Sequence, residues 1–146
     1  MRGPATPDAG PAMADFPALI VEKVRFSDTD RQGHVNNLQF GAFLEAGRAE
    51  ILHGAEDLCA PGCFFVLAKT TIVFAGELAW PGEVTVGGRI ERIGGSSITI
   101  AQALFQSGRC VATADSVMVQ VDIASRAAAP LAPHARVALE ALTCAR

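Results

Sequence analysis

The sequence predicts an α+β protein, an antiparallel sheet with one dominant helix laid against it. Three observations lead there. Residues 19–26, LIVEKVRF, form a β-rich run bounded by turn chemistry. From Asn37 to about Leu52 the apolar residues recur at the helical period instead. Four more β-type runs then follow, separated by short Gly-, Pro- and Ser-containing breaks.

Each element has its own reason. In the helix, Phe40, Phe43, Leu44, Gly47 and Ile51 fall on one stripe. The rest of its circumference is small rather than polar, with Gly41, Ala42, Ala46 and Ala49, so the helix is expected to be largely enclosed. After the loop GAEDLCAPGC come the runs 64–75, 83–93, 96–106 and 109–122. WPG (80–82), GG (94–95) and SG (107–108) punctuate them, and connections this short favour antiparallel neighbours in a meander. Thr85, Gly87, Arg89 and Glu91 alternate with Val84, Val86 and Ile90, as in a half-exposed strand. A Pro-rich hinge, AAAPLAP, leads to a short C-terminal helix carrying Val137, Leu139 and Leu142.

No internal repeat or domain boundary interrupts this order. Residues 18–146 read as one domain behind a Pro-, Ala- and Gly-rich stretch over 1–17, expected to be a flexible leader in which Met13 is an alternative start. One helix cannot cover five strands on both faces. Pairing with a second copy, as a homodimer or homotetramer, is the expected remedy for the open area and edges.

Composition narrows the function. A chain of 146 residues, half of them hydrophobic, can bury roughly two-thirds of its unfolded surface. A net charge of −3 without a basic block leaves no footprint for nucleic acid or an anionic membrane. No run approaches the roughly 18 apolar residues of a membrane span, and the opening lacks the apolar core of a signal peptide, so a cytoplasmic location is expected. Cys59 and Cys63 form a C-x3-C pair, but neither they nor Cys110 and Cys144 meet a second pair at zinc spacing. Reduced, mostly buried thiols are expected, with no metal.

One segment carries more chemistry than a connection needs. Between the first strand and the helix lies SDTDRQGHVNN, residues 27–37. Asn36 is placed to cap the helix and Asn37 lies in its first turn, where unpaired backbone N–H groups suit an oxygen gaining negative charge. Asp28 and Asp30 put a carboxylate just upstream, and His34 can donate a hydrogen bond or shuttle a proton. Together these are the groups that acyl-transfer hydrolysis requires. Asp-x-Asp before a helix is equally ordinary turn and cap chemistry, so both readings stand on local sequence. The further oxygen ligands of a calcium loop are missing, and no nucleophile elbow surrounds Ser27.

FSDTDRQGHVNN followed by LQFGAFLEAGRAEIL resembles the N-terminal signature of hotdog-fold thioesterases of the 4-hydroxybenzoyl-CoA thioesterase type. The likeness continues through FAGELAWPGEVTVGGRIERIGGSSITIAQALF and GRCVATADSVMVQVD to PHARVALEAL. The resemblance implies a long helix wrapped by an antiparallel sheet of five or more strands, subunits paired through their sheets, and no cofactor. It makes Asp30 the catalytic carboxylate, as nucleophile or as base toward water, and the Asn37 N–H the group that polarises the carbonyl, with Asp28 in support. QGHVNN is also similar to plant acyl-ACP thioesterases, whose catalytic Asp, Asn and His match Asp30, Gln32 and His34; Gln32 departs by one methylene. A second hotdog subclass carries its carboxylate on the helix, here Glu45, which could otherwise form an i,i+3 ion pair with Arg48. Phe40, Phe43 and Leu44 would offer the acyl chain apolar surface between helix and sheet.

The implied reaction is hydrolysis of acyl-CoA or acyl-ACP thioesters. A hotdog dehydratase and an acyl-CoA-binding protein without turnover are the alternatives. If CoA is the carrier, its phosphates would need cations such as Arg89, Arg92, Arg109 or Arg126.

Overall fold

The computed structural model describes residues 10–143. The first strand, β1 (Ala18–Val24), leads through a 3₁₀ turn at Phe26–Asp28 into helix α1 (Asn37–Ala49), which runs on as a π-helical turn over Glu50–Gly54. Strands β2 (Cys63–Phe74), β3 (Gly82–Ile93), β4 (Ser97–Gln106) and β5 (Arg109–Asp122) follow, then helix α2 (Pro133–Glu140). The strands form one antiparallel sheet in the order β1-β3-β4-β5-β2, with α1 packed across β3, β4 and β1. This is the hotdog arrangement that the run of elements and the resemblance led us to expect.

The strand order corrects the expected four-strand meander. Only β3, β4 and β5 form one; β2 pairs with β5, at the far edge from β1. Residues 75–81 are therefore a crossing between two strands that are not neighbours, rather than a turn. They are held by hydrogen bonds from Ala75 N and Gly76 N to Val111 O and from Val35 N to Leu78 O, with Leu78 fully buried. The crossing passes the N-terminal loop, and that contact shapes the site.

The predicted helical stripe is the buried one. Phe40, Phe43, Leu44 and Gly47 face the sheet, and Ile51 continues the face into the π turn. Phe40 and Leu44 pack with Val24, Leu78, Val86 and Leu104; Ile51 and Leu52 pack with Ile90, Ile98, Ile100 and Leu139. The small face, in contrast, is not enclosed within one chain: Ala42, Glu45 and Ala49 are exposed.

The core also begins before β1. Within the expected leader, Met13–Asp15 form a 3₁₀ turn and Phe16 is buried, its ring meeting Phe105 edge-on at 5.9 Å. Residues 1–9 lie outside the described part. In α2, Ala135 and Leu139 are buried while Val137 is exposed. Cys59, Cys63 and Cys110 are free and half-buried, and Cys144 lies outside the described residues.

Candidate active site

Residues 28–36 fold back on themselves before the helix starts. Asp30 N donates to His34 O at 2.8 Å and Gly33 N to Asp30 O at 3.0 Å. Gly33 closes this turn at φ +82°, a left-handed conformation that glycine adopts freely. Asn36 N donates to Asp28 O, while the Asn36 side chain accepts from Leu38 N at 3.0 Å and so caps α1.

The two aspartates take different positions. Asp28 is buried, and its carboxylate accepts from the Arg25 N–H at 2.8 Å and from Arg25 Nη2 at 3.0 Å. It anchors the loop. Asp30 is exposed; its Oδ1 accepts the Gln32 N–H at 2.8 Å, and its second oxygen makes no hydrogen bond among the described residues.

His34 is half-buried and reaches the crossing segment. It pairs in backbone register with Ala79, and its Nε2 lies 3.0 Å from Glu77 Oε2. Asn37, the first residue of α1, has a backbone N–H with no partner among the described residues. Helix N-termini leave such donors unpaired unless a cap or ligand takes them.

These groups border one cleft of about 130 Å³, lined by Asp30, Gln32, His34, Asn37, Phe40 and Glu77, among others. Five residues singled out from sequence thus stand together. Phe43 instead borders a groove with Glu22, Lys23 and Arg25, and Leu44 is sealed in the core. Glu45 stands at another cavity, beside Arg48 and His53, and forms no salt bridge with Arg48, which is buried rather than on the helix surface. Sequence reasoning missed Glu77, since only tertiary structure brings the crossing to the loop. Among the described residues no group of acids, histidines and cysteines is arranged to hold a metal ion.

Hydrolysis at a carbonyl is served by a base that activates water and a donor for the developing oxyanion. Asp30 and the Asn37 N–H can supply both across this cleft. The sequence profile of the thioesterase-like superfamily matches residues 24–139, and the chain belongs to that superfamily; it is a thioester hydrolase. Solved structures agree. The PA5185 protein of Pseudomonas aeruginosa strain PAO1 is 27% identical, with 92% of this chain and 96% of that one covered at a TM-score of 0.83. A predicted thioesterase from Bacillus stearothermophilus is 28% identical, covering 88% and 97% at a TM-score of 0.78. A Thermus thermophilus thioesterase, solved with coenzyme A and Zn, is 28% identical, covering 88% and 95% at a TM-score of 0.75. No curated protein sequence matches the chain.

Proposed function

We propose that the chain hydrolyses acyl-CoA thioesters, with Asp30 as the catalytic carboxylate. The observation that carries this reading is the single cleft shared by Asp30, His34 and the unpaired Asn37 N–H. The coenzyme A bound by the Thermus thermophilus relative supports CoA as the carrier.

In the proposed reaction the thioester oxygen points at the Asn37 N–H, and water lies against the free oxygen of Asp30. Asp30 takes a proton from water as it attacks the carbonyl carbon. The tetrahedral oxyanion is held by the N–H and the positive end of α1. Collapse breaks the carbon–sulfur bond and expels thiolate, which recovers the proton from Asp30, so that free acid and CoA thiol leave. His34, fixed by Glu77, and Gln32 orient the water and the substrate oxygen.

The cleft fits the reacting atoms but not an acyl chain, since small-molecule sites usually enclose roughly 300–1,000 Å³. Strand β2 points to where the remainder goes. It is an edge strand of 12 residues with Leu67, Val73 and Phe74 exposed. Pairing β2 with β2 of a second copy would cover that edge, extend the sheet and place the clefts at the interface.

Thiol release measured over a panel of acyl-CoA thioesters tests the proposal. Turnover is the expected result. Binding without release would favour a carrier of acyl-CoA, and turnover only with acyl carrier protein thioesters would move the substrate to that class.

A further inference from the structure

Of the two charged side chains in α1, Glu45 is exposed and Arg48 is 5% exposed. The mechanism above does not use Arg48. Its Nη1 donates to Gln102 Oε1 at 3.3 Å and to Ser116 Oγ at 3.4 Å, both long and both to neutral groups. Those acceptors are fixed in turn: Gln102 Nε2 donates to Leu44 O at 2.9 Å, and Ser116 Oγ meets Thr70 Oγ1 at 2.9 Å. Among the described residues the guanidinium has no salt bridge, and its Nε and Nη2 make no hydrogen bond.

Burying a guanidinium with donors unused is costly. Burial pushes the Arg48 pKa down, and the negative charge of Glu45 offsets this only in part. No side-chain polar atom among the described residues is both sealed and unpaired, so the unused donors open onto space. That space is a cavity of about 310 Å³ between the second half of α1 and strands β2 and β5. Leu52, Phe65, Leu67 and Met118 make its apolar walls, with Glu45 and His53 beside Arg48. His53 is already paired, its Nδ1 lying 2.9 Å from Asp57 Oδ1. An apolar chamber with one unsatisfied cation suits a molecule with an apolar body and an anionic end.

We propose that this cavity takes the far end of the acyl group, and that the preferred substrates are thioesters of acids bearing a second, distal carboxylate. The proposal rests on the acyl-CoA hydrolase reading. It also explains how so small a hydrolytic cleft is served. In an antiparallel self-pairing of β2, the end that carries Phe65 and Leu67 in one copy lies beside the Phe74 end of the other. Phe74 packs on Phe40 at the hydrolytic cleft, ring centroids 5.1 Å apart. The acyl group would therefore cross from the cleft of one copy into the Arg48 cavity of the other.

The test compares CoA thioesters of equal chain length that end in a methyl group or in a carboxylate, using the purified full chain and thiol release. The wild type should favour the carboxylate by on the order of ten- to a hundredfold in kcat/KM, the range of a charge-assisted hydrogen bond. Arg48→Met should bring that ratio to one or below, and Arg48→Lys should keep part of it. Glu45→Gln should raise it, because a like charge leaves the same cavity. A wild-type ratio near one, or a ratio unchanged in Arg48→Met, overturns the proposal. If Arg48→Met does not fold, the wild-type ratio and Arg48→Lys decide. If no CoA thioester is hydrolysed at all, the hydrolase reading fails, and the cavity is then read by thermal shift with free acids. A rise in Tm with straight-chain monocarboxylates but not with alcohols of equal length, reduced in Arg48→Lys, upholds the anionic subsite; equal shifts overturn it.

Discussion

Within ten residues the chain assigns two aspartates to different work. Asp28 is committed to Arg25 and the loop, whereas Asp30 keeps one oxygen without a hydrogen bond among the described residues and lines the same cleft as Asn37. Asp30→Asn retains the size and the bond to Gln32 N but removes the charge. Turnover of acyl-CoA should fall by roughly 10²–10⁴-fold, the range for a lost general base, while the circular dichroism spectrum and Tm stay near wild type. His34→Ala should lower kcat more than it raises KM if, as in the proposed reaction, the imidazole orients water rather than the acyl body. Glu77→Gln should cost less than His34→Ala, about fivefold at most, since an exposed pair contributes only ~0.2–1 kcal/mol. Near-normal turnover in Asp30→Asn would return the loop to simple cap and turn chemistry. Asp30 and Asn37 were legible as candidates, from the acids set just ahead of a helix cap and from the resemblance, and the fold puts both on one cleft. Glu77 and the burial of Arg48 were not: an isolated acid in a crossing and an arginine on a helix both read as solvated charge.

At the scale of elements, the match of period to structure is close wherever a single face decides. The α1 stripe and the limits of β3, β4 and β5 follow from alternation and turn residues. Strand β2 shows where that reasoning stops. FFVLAKTTIVFA identifies a strand, but nothing local says which neighbour it will choose, and its partner β5 is the last strand in the chain. Gly47 is a second case: in sequence it is only a small residue on an apolar stripe. In the fold, a Cβ there would lie 2.6 Å from Val86 Cγ1 and 2.8 Å from Gln102 Nε2, the group that donates to Leu44 O. Gly47→Ala, favourable in an isolated helix by about 1 kcal/mol, should therefore destabilise this protein by about 1–3 kcal/mol through overpacking. A Tm lowered by several degrees checks it; a Tm raised by the substitution would show that the helix can back away from the sheet.

At the scale of the molecule, one sheet edge, strand β2, matters most. Among the described residues, a single chain leaves β2 without a second neighbour, the Glu45 and Ala49 side of α1 exposed, and the cleft at Asp30 with only about 130 Å³. One operation resolves all three if β2 meets β2 of a second copy about a two-fold axis. Light scattering at micromolar concentration should then give at least twice the 15.2 kDa chain mass. Leu67→Lys with Val73→Lys puts charge on two exposed positions of that edge, 44% and 59% open in the single chain. The pair should shift the protein toward monomer and reduce turnover with long acyl-CoA, without lowering helix or strand content. Val21→Lys makes the same change at the opposite edge, on β1, and should leave the β2 pairing intact. Monomers that still turn over long acyl-CoA at the wild-type rate would show that one chain encloses its substrate, and the path from cleft to Arg48 cavity would then have to run along α1 within it.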